Sequence, residues 1–406
     1  MTPLDRHEFA ALMAPFGPWG DRHVAVAVSG GPDSLALAWL AKDWGHITVF
    51  TVDHGLRADS ASEARQVVEL VQSWGGAAAV LTLRNLDRGP ALAARARDAR
   101  RHALQDACRL AGLPDLLLAH HTGDQAETVA MRRERGSGAA GLAGMAAVAE
   151  ATHARLLRPL LRVAPGRLKS TLRRAGLTWA DDPTNRDVRT GRGRVRALQA
   201  DPAGAGAGIR EIVEASAIAG RRRAETDGRI AQALANCAIY PGGYAVIPDA
   251  PIMPAALAAL LRGVAGSDYA PATSQVARIA SAPGPATLGG CRILAAGRLG
   301  PGWLVVREIA AMAPAWSGER WDGRFRLRGT LPPGGTFGPL GRDAAGLQTR
   351  TGRPAAALRT LPAIKIDGAL AAVPNIAFRL PPVHGLQLMI ESDGWPPAGA
   401  PFGVLV

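Results

Sequence analysis

Short apolar runs alternate with longer amphipathic stretches through the first half of the chain. His23 to Val28 is a valine-rich run of strand length, followed by a glycine-rich turn and an apolar helical stretch from Asp33 to Lys42. Ile47 to Val52 reads as a second strand that ends at Asp53. Ser60 and Glu63 have the spacing of a capping box, which predicts a helix from there to Trp74. Val80 to Leu83 reads as a third strand, Ala91 to Ala111 as a long basic helix, and Leu116 to Ala119 as a fourth strand. Strands alternating with helices predict an α/β fold with a doubly wound parallel sheet. Ligands of such sheets sit beyond the carboxyl ends of the strands. Three polar clusters fall at that edge: Ser29–Ser34, Asp53–Arg57 and His120–Glu127.

The second half changes character. Ala203 to Gly208 is Gly/Ala-repetitive and suits a linker, and Ile209 to about Ala265 follows a helical pattern that includes Arg221, Arg222 and Arg223. Beyond about Ala270, short apolar runs alternate with Gly/Pro turns, as in Leu331–Gly335 and Phe337–Gly341. This organisation predicts a nucleotide-binding domain over 1–205, a helical middle region over 206–310 and a small β-rich domain over 311–406.

Composition sharpens the choice of partners. Hydrophobic residues make up 48% and charged residues 20% of 406 positions, as expected of a soluble globular protein. Lys+Arg is 47 against Asp+Glu 34, a formal net charge of +13. A basic surface attracts phosphate backbones and releases their counterions on binding. A coding bias accounts for Arg over Lys but not for the excess of cations; nucleic acid is the favoured partner, with an anionic membrane the other one. Cys108, Cys237 and Cys291 are far apart, so neither a zinc ribbon nor a disulfide framework is indicated. The N-terminus carries Asp5 and Glu8 and lacks a long apolar run, so a cytoplasmic protein without membrane span is expected.

The strongest chemical signal is Ser29-Gly30-Gly31-Pro32-Asp33-Ser34, between a strand and a helix. Glycines let the backbone approach an anion, and a helix N-terminus points unpaired N–H groups at it. Hydroxyls of Ser29 and Ser34 can add donors. Asp33 suits a phosphate site only with a cation between them, which makes it a candidate Mg²⁺ ligand. No Lys follows the glycines, so this is not a Walker A loop. The plain alternative is a Gly-rich turn with an ordinary helix start.

The loop matches the SGGxDS pyrophosphate loop of PP-loop enzymes, which cleave ATP to AMP and pyrophosphate. Three further segments narrow the class: Val52-Asp53-His54-Gly55-Leu56-Arg57, His120-His121-Thr122-Gly123-Asp124-Gln125-Ala126-Glu127-Thr128, and Arg135-Gly136-Ser137-Gly138 leading into Gly141-Leu142-Ala143-Gly144-Met145. With Arg158-Pro159-Leu160-Leu161 and Asp182-Pro183-Thr184-Asn185, these resemble the N-terminal domain of tRNA(Ile)-lysidine synthetases over about residues 20 to 200. The second half resembles that family more weakly, through Leu361-Pro362-Ala363 and Ala372-Val373-Pro374. The sequence departs from the family pattern at Gly123, where Asp or Asn is usual, at Arg101, usually aromatic, and at Thr190 and Gly193.

The resemblance implies ATP-dependent ligation of free L-lysine to C2 of the wobble cytidine in a CAU-anticodon isoleucine tRNA, through an adenylated cytidine. It implies ATP as co-substrate and Mg²⁺ as cofactor. Ser29, Gly30, Gly31, Pro32, Asp33, Ser34 and Asp53 would bind the nucleotide. Asp33 and Asp124 would hold the metal, and Asp33, His121, Asp124, Glu127 and Arg192 would serve the chemistry. Asp124 or Glu127 could take the ammonium proton of lysine. Arg97, Arg100, Arg135, Arg194 and Arg196 are candidates for tRNA contacts, each with a solvated basic face as the plain alternative. The sequence leaves a homodimer open.

Each of these assignments has a competitor. Adjacent His120 and His121 could be a metal pair, though neighbours on a strand point to opposite faces. Asp124 and Glu127 could simply stabilise a helix start. Another PP-loop tRNA-modifying enzyme is the nearest rival: a thiolase calls for reactive cysteines or an Fe–S site, and an amidotransferase for a nucleophilic cysteine. A non-catalytic basic RNA-binding protein is the rival from outside catalysis.

Overall fold

In a computed structural model of the chain, residues 1–17, 23–56, 59–83, 89, 92–180, 201, 203–267, 269–380, 389–392 and 403 are described. The chain divides into two compact units, Met1–Glu225 with Phe402–Val406, and Thr226–Pro401.

The first unit is built on a six-stranded sheet. Its strands are β1 (His23–Ala27), β2 (His46–Asp53), β3 (Ala77–Thr82), β4 (Asp115–Leu117), β5 (Val148–Glu150) and β6 (Arg155–Leu157), ordered β3-β2-β1-β4-β6-β5. All neighbours pair in parallel except the edge strand β5. Alternation along β1 explains the two covered faces. Val24 and Val26 point into a core with Leu37, Leu117, Leu157 and Leu168, whereas Ala25 and Ala27 join Phe50, Leu104, Cys108 and Leu116 on the other side. Helix α1 (Arg6–Met13) starts on a capping box of Asp5 and Glu8 and buries Phe9 and Met13. The connecting helices are α2 (Pro32–Lys42), α3 (Ser60–Ser73), α4 (Leu92–Leu110), α5 (Thr122–Glu134), α6 (Ala139–Leu142) and α7 (Pro165–Arg174). Helix α2 is buried on most sides, which is why its sequence is almost wholly apolar after Ser34.

Two local expectations give way. Helix α3 forms over the predicted range, but Ser60 does not cap it; its hydroxyl donates to Asp53 Oδ1 at 2.6 Å. A buried carboxylate on β2 offers that hydroxyl a stronger acceptor than the helix itself would. Nor is Ala203–Gly208 a free linker. Asp201 accepts from Gly204 N at 3.0 Å and from Gly206 N at 2.5 Å, and helix α8 (Ala207–Leu234) follows at once.

The helical pattern expected up to Ala265 is broken by β7 (Ala238–Tyr240) and β8 (Tyr244–Ile247), joined at Gly243 with φ +74°. In the second unit these strands join β9 (Ala286–Leu288), β10 (Cys291–Ala295) and β11 (Trp303–Arg307) in an antiparallel sheet ordered β7-β8-β11-β10-β9. Helices α9 (Pro254–Ala265) and α10 (Thr273–Ser281) bury Leu257, Leu260, Leu261 and Ile279 against Ile247, Ile293 and Val305. The expected β-rich end is present as a three-stranded and a four-stranded sheet. They are built from β12 (Arg320–Trp321), β13 (Phe325–Arg328), β14 (Gly335–Pro339), β15 (Pro362–Ile366), β16 (Ala369–Val373), β17 (Phe378–Arg379) and β18 (Met389–Ser392). Among the described residues, no helix is long and apolar enough to cross a membrane.

Candidate active site

The carboxyl ends of β1, β2 and β4 open onto one edge of the parallel sheet, so the described residues of the three polar clusters, Ser29–Ser34, 53–56 and His120–Glu127, lie side by side there. After β1 the chain turns through Gly30, whose φ of +82° is a left-handed conformation that favours glycine. Gly31 begins α2 in extended conformation with no side-chain cap, and Pro32 takes the first helical position. The first-turn amides of α2 are therefore left for an external acceptor. Ser34 shapes this turn. Its hydroxyl donates to Gly31 O at 3.1 Å, accepts from Ser29 N at 3.1 Å, and lies 3.3 Å from Ser29 Oγ. Ser34 is thus committed to the loop's own backbone, which leaves Ser29 as the freer hydroxyl. The carbonyl of Gly30 accepts from Ala180 N at 3.2 Å, so the stretch after α7 is tied to the turn.

Helix α5 brings the second group. His121 is its N-cap: Nδ1 accepts from Gly123 N at 3.1 Å and Asp124 N at 3.4 Å, while Asp124 Oδ2 accepts from His121 N at 3.1 Å. A nitrogen that accepts carries a lone pair, so the neutral ring has its proton on Nε2. That Nε2 lies 3.5 Å from Asp33 Oδ2 and 3.5 Å from Asp124 Oδ2. The phosphate turn and the start of α5 therefore meet at one imidazole. Glu127 lies one turn further into α5 and is only 2% exposed, beneath the site rather than at its surface. Of the two His121 ring nitrogens, Nδ1 serves the cap and Nε2 faces the carboxylates of Asp33 and Asp124.

Asp53 serves its own loop. Its Oδ1 accepts from Ser60 Oγ and, at 2.9 Å, from Gly55 N. The Ser60 hydroxyl, then the Gly55 amide, hold its carboxyl below the usual carboxylate range. Arg97 is exposed on α4 and Arg100 half-buried there, its pKa lowered by burial. Arg135 caps the far end of α5, about 20 Å from His121 at 1.5 Å per residue. Arg57, Arg192, Arg194, Arg196 and Asp182–Asn185 lie outside the described residues.

Several residues at the site carried no individual signal in the sequence. Gln125 and Met145 exchange two bonds, Gln125 Nε2 to Met145 O at 3.1 Å and Met145 N to Gln125 Oε1 at 2.7 Å. Arg132, two turns along the same helix, donates to Gly141 O at 2.9 Å and Gly144 O at 2.6 Å. Together they fasten the Gly141–Met145 loop to α5. Arg158, after β6, donates to Ala146 O at 2.8 Å, while its Nε is buried without a partner and burial pushes its pKa down to about 10. A helical period of three to four residues puts Gln125 and Arg132 on one face, which could have paired them, but not with this loop.

A divalent cation fits the donors present. Asp33 Oδ1 is buried without a hydrogen-bond partner, and the Asp124 carboxylate stands across the same imidazole. Oxygen ligands suit Mg²⁺, which typically takes one or two carboxylates and completes its shell with phosphates and water. No group of three or more His, Cys, Asp or Glu side chains that could hold a metal occurs among the described residues. Thiol chemistry is remote: burial pushes Cys108 up to about 11 and Cys291 up to about 12, so neither offers a thiolate at neutral pH.

A PP-loop domain model matches residues 2–200. A tRNA(Ile)-lysidine synthase from Ruegeria pomeroyi is 34% identical over 387 residues, covering 89% of this chain and 91% of the relative. The chain belongs to the tRNA(Ile)-lysidine synthase family. A tRNA(Ile)-lysidine synthase from Bradyrhizobium diazoefficiens is 44% identical over 211 residues, a match that spans 50% of this chain and 58% of that relative's length. Among solved structures, the U34-tRNA thiolase NcsA from Methanococcus maripaludis is similar over 52% of this chain and 76% of its own, with 16% identity and a TM-score of 0.44. The lysidine synthase family thus extends over both units here, while the PP-loop match is confined to the first.

Proposed function

We propose that this chain is an ATP-dependent tRNA(Ile)-lysidine synthase of the cytoplasm, which joins free L-lysine to C2 of the wobble cytidine of a CAU-anticodon tRNA. The reading is carried by one observation above the family membership: a buried, unpartnered carboxylate oxygen of Asp33 at the mouth of a phosphate-binding turn. In this reading the amides of Gly31, Asp33 and Ser34 hold the pyrophosphate of ATP, and the C2 oxygen of the cytidine attacks the α-phosphate. Pyrophosphate leaves and the base carries an adenylate; the amine of lysine then displaces AMP. Mg²⁺, when bound by Asp33 and Asp124, supplies neutralisation of charge on the phosphoryl oxygens.

Lysine must attack as a neutral amine, although an exposed ammonium has a pKa near ~10.4. Asp124, with its side chain 23% exposed, is the carboxylate this reading assigns to receive that proton, in preference to Glu127 at 2%. The anticodon loop is single-stranded, so presenting one base to the site costs little stacking energy. The exposed Arg97 and Arg135 suit phosphate contacts with the tRNA.

The test is direct. Incubated with CAU-anticodon tRNA, ATP, Mg²⁺ and labelled lysine, the protein incorporates label into RNA only when ATP is present. ATP cleavage without lysine incorporation would point to another PP-loop activity, and neither signal to an RNA binder. Asp124→Asn slows lysine transfer; normal adenylation and normal transfer in that variant would remove Asp124 from the proton step.

A further inference from the structure

We propose that the exposed side of the Arg133–Ala140 segment, together with Arg222 of α8, is a docking surface for the base-paired stem that closes the anticodon loop. The proposal rests on the reading of the chain as a tRNA-modifying enzyme for the identity of the RNA, and on the charge and geometry of the first unit for the surface itself.

Charge is the first part. Residues 132–140 and 221–225 carry six arginines, Arg132, Arg133, Arg135, Arg221, Arg222 and Arg223, against two acids, Glu134 and Glu225. Arg133, Arg135 and Arg222 are exposed, and the side chains of Arg133 and Arg135 make no hydrogen bond or ion pair among the described residues. A helix C-terminus attracts cations, which accounts for Arg132 and Arg133 in the last turn of α5. It does not account for Arg222 and Arg223, which lie well inside the 28-residue α8. The backbone between the two helices supplies the second part. Arg223 Nη1 donates to Ala140 O at 3.1 Å, and Arg132 Nη1 donates to Gly141 O at 2.9 Å and Gly144 O at 2.6 Å. Guanidinium groups from α5 and α8 thus converge on one loop, close enough that Arg223 adds to burial in lowering the Arg132 pKa. Carbonyl oxygens accept these bonds without cancelling the charge, so the positive field persists at the surface. Residues 136–140 are Gly, Ser, Gly, Ala and Ala, which leave no bulky side chain to hold a phosphate backbone away. Distance supplies the third part. Arg135 caps the end of α5 that lies about 20 Å from His121. A base presented at His121 belongs to the loop, so the RNA met a helix length away is its stem. Double-stranded RNA is held through phosphates and 2′-hydroxyls, by shape rather than sequence, and exposed arginines suit those phosphates.

The experiment measures how salt weakens binding of the full chain to two RNAs: a CAU anticodon stem–loop, and the same loop as an unpaired oligonucleotide. Each arginine that meets a phosphate contributes about one to the slope of log K against log salt. The triple variant Arg133→Gln, Arg135→Gln, Arg222→Gln is expected to reduce the slope on the stem–loop by about two to three, and on the unpaired loop by less than about one. Arg222→Gln alone, which keeps the fold under test should the triple variant unfold, is expected to reduce the stem–loop slope by about one. A comparison variant in the second unit, Arg298→Gln, Arg342→Gln, Arg359→Gln, removes the same charge from exposed positions and reports non-specific attraction. Its slopes are expected to stay near those of wild type. An unchanged stem–loop slope, an equal reduction on both RNAs, or an equal reduction in the comparison variant overturns the proposal. If the wild type incorporates no lysine, the functional reading fails on its own, while the difference between the two slopes still decides whether this surface holds a stem.

Discussion

Thr122 and Gly204, 82 residues apart, are joined by a hydrogen bond of 3.0 Å from the threonine hydroxyl to the glycine carbonyl. The bond ties the first residue of α5, next to His121, to the turn that precedes α8. Gly204 has φ +64°, and a Cβ there would run into Pro165 Cδ and stand 3.3 Å from Thr122 Oγ1. Gly204→Ala therefore combines left-handed strain with overpacking. It is expected to lower stability by about 1–3 kcal/mol, read as an earlier urea midpoint at unchanged slope. A midpoint equal to that of wild type would mean that the turn yields freely.

That turn also marks where sequence reading stops. The β1–turn–α2 unit was legible because everything it needs lies within Ser29–Ser34: glycines, a proline at the first helical position and hydroxyls that close the loop. The parallel sheet was legible because valine-rich runs alternate with amphipathic ones. What stayed hidden depends on partners far along the chain. Ser60 has the spacing of a cap, but its acceptor is seven residues back on a strand end. Ala203–Gly208 has the composition of a linker, but Asp201, Thr122 and the amide of Gly166 fasten it. Strands β7 and β8 were masked by alanine, which fits helix and strand alike in this chain. Within the site, His121 and Asp124 were legible as residue types; that the histidine caps α5 follows only from the ring's direction.

Asp33 is the sharpest test of the cation. Asp33→Asn keeps the size and helix position of the side chain and removes its charge. The affinity for ATP measured by calorimetry in the presence of Mg²⁺ is expected to fall by about tenfold to a hundredfold, while binding in EDTA changes little. Equal affinities of the two proteins in Mg²⁺ would place the cation elsewhere.

The Ser60–Asp53 bond gives a pH-dependent prediction. The folded Asp53 carboxyl titrates below its ordinary range, chiefly because Ser60 donates to it and next because Gly55 does. A depressed carboxyl stabilises the fold above its unfolded pKa near ~3.9 and loses that contribution as pH falls through the lower folded value. Ser60→Ala is therefore expected to lower stability by about 1 kcal/mol at pH 7. The gap to wild type should close below about pH 4, in paired denaturation curves across that range. A gap that persists at low pH would mean that the hydroxyl acts through packing rather than through the carboxylate.

In the second unit, Asp322 stands between two arginines. Its carboxylate accepts from Arg307 Nε at 3.1 Å and Arg324 Nε at 2.8 Å, and from the amide of Ala313 at 2.9 Å. All three side chains are largely buried, and Arg324 is pushed down to about 10 chiefly by loss of water, with Asp322 opposing. Arg307 belongs to β11 of the five-stranded sheet, and Arg324 precedes β13 of the three-stranded one, so one carboxylate fastens two sheets. Asp322 also holds φ +55°, a conformation that asparagine tolerates about as well. Asp322→Asn thus removes the charge without a new backbone penalty and strands two buried guanidinium groups. A loss of about 3–5 kcal/mol is expected, the range for breaking a buried ion pair from one side. Arg324→Met should cost less, because it removes a buried charge together with its desolvation and leaves Asp322 paired with Arg307. Urea unfolding of the two variants decides the order; a milder effect for Asp322→Asn than for Arg324→Met would mean that packing, not charge, holds this joint.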